Sequence, residues 1–321
     1  MYRLFCVSAV ATALAFSTLP AQAAPAVPVS PPGKPLGIVP VHGVQPARWS
    51  SNLLYHSGGS VQTGTHHTFA VYWNPWGSSF SGTYQTLING YFGNVAAASG
   101  ASSNVYAIDT QYYQNIGHTT YIQYSENFAG SVQDSTTPSS SGCSSTSGGR
   151  LGCVSDAQIQ QELQKVITAN KLPEGLGYEY FVFLGNGVST CSGSSCFVST
   201  FCAYHSNFTD GNTGQTVLYA NMPYTGYSLS ACGSGQYPNN DPAADSTINV
   251  TSHEANETIT DPLGNAWFDR SGYEIGDKCA WNFGSSQGST QYGQYNQTIN
   301  GAHYYMQQEW TNKSSGCAQH M

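Results

Sequence analysis

His253-Glu254-Ala255-Asn256-Glu257 places an imidazole and two carboxylates within five positions. On a helix, which advances 3.6 residues per turn, His253 and Glu257 lie one above the other and can both reach a single cation. Glu254 is offset by one position, toward a water on that cation. The spacing is that of the His-Glu-x-x-His metalloprotease helix, with Glu in place of the second His. In that scheme His253 and Glu257 are metal ligands, and Glu254 is the catalytic base for a water whose pKa falls to about 7. Asn249 lies on the same face. Such a helix supplies two ligands, so a third must come from elsewhere. Glu274 and Asp277 follow His253 by 21 and 24 residues and are the candidates, with Asp261 as a rival further along the helix. Zn2+ is the expected ion and Ca2+ the alternative; one imidazole with two carboxylates is a harder donor set than two imidazoles with one, which weakens zinc binding or favours another divalent ion. A solvated polar helix face would produce the same string.

Other constellations carry less. Gly284-Ser285-Ser286-Gln287-Gly288 matches the nucleophile-elbow pattern, but no helix is expected after it, as the elbow requires. His66 and His67 open a strand and so point to opposite faces. His56 and His205 read first as hydrogen-bonded structural residues and second as distant ligands. Trp73, Trp76 and Trp267 read as core packing, with a sugar-binding platform as the alternative. Asn-x-Ser/Thr sequons occur at Asn207, Asn249, Asn256, Asn296 and Asn312. Two of these fall on the proposed active helix, so they are expected to carry no glycan.

The elements that must position this chemistry follow from periodicity. Alternation predicts a strand at 68–73. Tyr84, Leu87, Ile88, Tyr91, Phe92 and Val95 form one helical stripe. Strands are expected at 104–108 and 119–124, and a Ser/Thr/Gly loop at 129–153. Ser155 and Gln158 make a capping box for a second helix, which Lys171-Leu172-Pro173 stops. The apolar run 178–184 predicts a central strand, and further strands are expected at 197–204 and 216–220. A third helix is expected from about 245 to 260, broken by Asp261-Pro262-Leu263-Gly264. The order predicts an α/β or α+β domain: a mixed β-sheet with packed helices, a zincin-like active helix and disulfide-stapled loops.

Residues 1–23 fit a secretory signal peptide, with Arg3 before an apolar stretch and Ala21-Gln22-Ala23 as the cleavage site. Residues 24–48 read as a Pro/Val-rich leader or linker, and 49–321 as a single secreted domain beginning near Trp49. The eight remaining cysteines suit disulfides in an exported chain. Proximity favours Cys143 with Cys153, Cys191 with Cys196, Cys202 with Cys232, and Cys279 with Cys317. Only 8% of residues are charged, against about 25% ordinarily. With a formal charge of −8 the chain lacks a basic footprint for nucleic acid. No apolar run in its body is long enough to predict a membrane span.

Several segments recur together elsewhere: Leu54-Tyr55-His56-Ser57-Gly58-Gly59, Phe201-Cys202-Ala203-Tyr204-His205, the stretch from Ser252 through Pro262, Asn265-Ala266-Trp267, and Glu274-Ile275-Gly276-Asp277. Over 52–283 the chain resembles the EXORDIUM/phosphate-induced family of secreted proteins, especially its microbial members. The resemblance implies an extracellular or cell-wall protein. Plant members are associated with growth signalling and depart from the His-Glu-x-x-Glu helix, whereas this chain keeps all three groups. The expectation is a secreted zinc-dependent metallohydrolase, a metallopeptidase first. The alternative is a non-catalytic wall or matrix protein. Expected partners are an extracellular peptide or protein, or a cell-wall glycan.

Overall fold

The computed structural model describes residues 35–44, 51–144, 148 and 150–321. The expected signal peptide and most of 24–48 lie outside the described residues, as does Trp49. The core is a six-stranded mixed sheet. Its strands are β1 (Ile38–Pro40), β2 (His66–Trp73), β3 (Glu126–Asp134), β4 (Tyr178–Leu184), β5 (Phe201–Thr209) and β6 (Thr216–Met222). They lie in the order β1-β5-β6-β4-β2-β3. The pairs β6–β4, β4–β2 and β2–β3 are parallel, and β1–β5 and β5–β6 antiparallel. Three long helices flank the sheet: α1 (Tyr84–Ala97), α2 (Asp156–Asn170) and α3 (Pro242–Thr260). The fold is therefore mixed α/β, as the element order predicts.

Alternation along the strands decides what each helix covers. Phe181 and Phe183 of β4 meet Phe92 of α1, and Glu179, on the same face of β4, accepts a hydrogen bond from Thr258 of α3. Tyr204 of β5 and Tyr219 of β6 point the other way, and their hydroxyls donate to Asp156 Oδ1 of α2 at 2.6 and 2.5 Å. The capping box at Ser155 and Gln158 is present, and α2 ends on left-handed Lys171 (φ 53°).

Four expectations need correction. The segment 104–108 is not a strand: Val105–Gln111 is a 3-10 helix, started by the Asn104 side chain accepting the Tyr106 N–H. The loop expected at 129–153 contains most of β3, whose edge position lets it carry polar residues on its exposed side. The strand expected at 197–204 starts at Phe201, because Val198 adopts a left-handed turn (φ 70°) just before it. The leader is not wholly outside the fold, since β1 belongs to the main sheet. Three residues with a Pro at one end are too short and irregular to announce a strand.

All four expected disulfides form: Cys143–Cys153, Cys191–Cys196, Cys202–Cys232 and Cys279–Cys317. Cys143, Cys153 and Cys191 cluster, but their sulfurs are oxidised and are not thiolate ligands. Trp73 and Trp267 are buried, so packing is their role. Ser286 is hydrogen-bonded to the backbone of its own hairpin. Asn249, Asn256 and Asn296 are fully buried, with no room for a glycan in the folded chain. Among the described residues no helix is long and apolar enough to cross a membrane.

Candidate metal centre

Helix α3 starts three residues before the expected position. Asp241 caps it by accepting the Ala244 N–H at 3.1 Å, and Pro242 occupies the first turn. From Ala243 to Thr260 every residue is buried. One side lies on the sheet; the C-terminal hairpins cover the other, where Gln307 N–H donates to Asn249 Oδ1 at 2.7 Å. A helix buried all round is normally apolar. This one is rich in Ser, Thr, Asn and Glu, so each polar side chain needs a partner inside the protein. Most find one locally: Thr251 and Thr260 donate to carbonyls one turn back, as does Asn256.

The exceptions gather at one place. His253 and Glu257 face the Glu274–Asp277 segment, as the spacing predicts. His253 Nε2 lies 2.9 Å from Glu257 Oε1 and 3.8 Å from Asp277 Oδ1. His205, from β5, reaches the same carboxylate from the sheet: its Nε2 lies 3.6 Å from Glu257 Oε2 and 3.4 Å from Glu274 Oε2. Two overlapping triads result, each with ligand atoms within 4.8 Å of one another: His253, Glu257 and Asp277, and His205, Glu254 and Glu257. Glu257 belongs to both. Thus Asp277 stands beside His253 and Glu257, whereas Glu274 faces His205. Asp261 is drawn away: its Oδ1 accepts the N–H groups of Asn265 and Ala266 at 2.6 and 2.7 Å, building the turn that ends α3.

The scaffold around the centre is tight. Asp277 N–H donates to Glu257 Oε1 at 2.9 Å, and Glu274 N–H to Asp277 Oδ2 at 3.1 Å. Gly276 lies flat against the His253 ring, where a Cβ would stand 2.8 Å from ring carbon. Two disulfides brace the contributing segments. Cys202 sits three residues before His205 on β5, and Cys279 two residues after Asp277.

The electrostatics are those of a site short of positive charge. Four carboxyls and two imidazoles are enclosed together. Burial pushes Glu254 well above its ordinary value, and the neighbouring Glu257, Asp277 and Glu179 add to that. Burial also raises Glu274 strongly, helped by Asp261 and Glu257, and lifts Asp277 to about 8. Burial alone would raise Glu257 too, but His253 and His205 hold it below its ordinary value. Desolvation drives His205 down to about 4 against the pull of Glu257. Burial opposes a charge on His253 as well, yet Glu257 outweighs it and the pKa rises.

Both ring nitrogens of His205 and His253, both Glu254 oxygens, Glu257 Oε2 and Glu274 Oε2 lack a hydrogen-bond partner of normal geometry. Each such buried atom costs about 1–3 kcal/mol. A divalent cation would satisfy several of them at once and reverse the carboxyl shifts. Each triad offers one imidazole with two carboxylates, the donor set that the helix alone suggests, and the two triads share Glu257. His205 is the residue that reading the chain ranked as structural. Its signal was its place in Phe201-Cys202-Ala203-Tyr204-His205, beside a disulfide cysteine on an alternating strand. The chain matches no family model, no curated protein and no solved structure.

Proposed function

We propose that this chain is an exported metallohydrolase, a metallopeptidase first, whose centre holds one divalent cation. Zn2+ is the expected ion, with Ca2+ the alternative. The observation that carries the reading is the convergence of orphaned, fully buried donor atoms on His205, His253, Glu254, Glu257 and Glu274. Bound zinc would supply Lewis acidity to a water and to a substrate carbonyl. His253, Glu257 and Asp277 would hold the cation. His205 would bring a second imidazole from the sheet to the other side of Glu257, with Glu274 beside it. Glu254 takes a proton from the attacking water and returns it to the leaving amine. Four disulfides agree with export, and the likeness to the EXORDIUM family agrees with an extracellular or wall location.

A second reading is favoured by the complete burial of the centre: a non-catalytic extracellular protein in which a cation only fastens the Glu274–Asp277 segment to α3. Elemental mass spectrometry of the exported protein tests what both share. The expected result is one metal ion per chain, lost in His253→Ala; a metal-free native protein would sink both. Glu254→Gln then separates them. In the peptidase it keeps the metal and abolishes hydrolysis of an unfolded protein substrate; in the fastening role it changes nothing measurable.

A further inference from the structure

Burial of the centre has a specific cause, and it is a piece of the chain's own N-terminal region. Strand β1 lies at the edge of the main sheet, antiparallel to β5, with Ile38 opposite Tyr204 and Val39 opposite Ala203. Leu36 N–H donates to the His205 carbonyl at 3.1 Å. This carries residue 37 directly over the centre. Gly37 is buried, and a Cβ built on it would overlap Glu257 Oε2 and stand 2.7 Å from His205 Nε2. Only glycine fits there.

Besides its ladder with β5, contacts at both ends hold the strand. Trp281 Nε1–H donates to the Pro40 carbonyl at 2.9 Å, and His42 stacks on the Trp281 ring at 4.0 Å. At the other end the Leu36 side chain sits against Gly264. If β1 left, β5 would become the sheet edge, offering unpaired N–H and C=O groups beside His205. Such an edge binds an extended peptide by adding it as a strand.

We propose that residues 36–41 occupy the cleft in which this protein binds an extended polypeptide, and that they do so as a substrate-like strand which keeps the centre closed until displaced. The substrate class follows: an unfolded or extended segment lying antiparallel to β5, with glycine at the residue crossing the centre. The word substrate rests on the metallopeptidase reading; the binding of an extended strand does not.

The test uses the full chain with Gly37→Val, whose added side chain must push β1 off Glu257. The probe is a fluorescent synthetic peptide with the sequence of residues 35–44. Binding is followed by anisotropy in metal-free and zinc-loaded protein, so its outcome is independent of hydrolysis. The variant should bind the peptide at least about tenfold more tightly than the wild type, whose cleft is already filled. A peptide carrying Val in place of its glycine should bind far more weakly. Equal, negligible binding of the first peptide to both folded proteins would overturn the proposal. Peptide binding without hydrolysis of an unfolded protein would support the cleft and count against the peptidase reading alone. Hydrogen exchange on the unaltered chain gives a check that survives if Gly37→Val does not fold. The Leu36 and Val41 amides should exchange well before those of the β5–β6 ladder; equal protection would make β1 a permanent strand and refute its displacement.

Discussion

Two buried imidazole–carboxylate clusters sit on the same face of the sheet, both under α3, and differ in one respect. At the first, His66 Nδ1 lies 2.9 Å from Glu126 Oε2 and its Nε2 3.0 Å from Glu179 Oε2, while Thr258 of α3 closes the remaining side of Glu179. Burial alone would lower the His66 pKa, but Glu126 and Glu179 raise it to about 10. At the second, His205 and His253 have nitrogens with no hydrogen-bond partner of normal geometry, and His205 falls to about 4. The first cluster is finished; the second lacks a positive charge. His66 and Glu179 are as buried as His205 and His253, so burial alone does not set the two clusters apart. What sets the second apart is the incomplete satisfaction of its buried polar atoms.

The sharpest way to break the comparison is to remove one imidazole from each cluster in metal-free protein. His66→Leu strands Glu126 and Glu179 and should cost about 3–5 kcal/mol in denaturant unfolding. His205→Leu should cost less, since it removes unbonded nitrogens and only the longer contacts to Glu257 and Glu274 at 3.6 and 3.4 Å; equal losses would erase the distinction. The His66 contribution should also depend on pH. Its folded pKa, about 10, exceeds the unfolded value of 6.5. The stabilisation is therefore complete below about 6.5 and lost as pH rises through about 10. The gap between wild type and His66→Leu should narrow across that window.

Next in size are the disulfides. Replacing Cys279 and Cys317 by Ala opens a bridge across 38 residues and should cost about 4 kcal/mol, together with metal affinity. Opening Cys191–Cys196, which spans 5 residues, should cost less and leave metal binding intact. Zinc at about 100 times its Kd should then stabilise the wild type by about 2.7 kcal/mol in calorimetry. His253→Ala should forfeit that gain. The smallest effect is expected from Ser155→Ala, which removes the α2 cap at a cost of about 1 kcal/mol and should not alter zinc binding.

Much of the fold was legible because local rules and tertiary needs agreed. The stripe from Tyr84 to Val95, the Ser155 cap and the run 178–184 each state an element and the face it buries. Legibility failed where position in the sheet overrode composition. Glu126–Asp134 looks like a Ser/Gly loop because an edge strand tolerates polar residues. Asn104 capped a 3-10 turn in a segment whose apolar residues also suit a strand. The start of α3 was in fact written in Asp241-Pro242, a start signal that periodicity counting passes over.

For the centre, the chain alone determined the chemistry that one helix can present: His253 and Glu257 one turn apart, Glu254 offset beside them, and the acids that follow after the helix breaks. Helical geometry is local, so five residues suffice to state it. Only the tertiary structure decided between Glu274, Asp277 and Asp261, brought His205 across from β5, and laid Gly37 over the result. The turn that draws Asp261 away is local, but the other choices depend on strand register and on hydrogen bonds between segments far apart in the chain, and no local pattern encodes such distances.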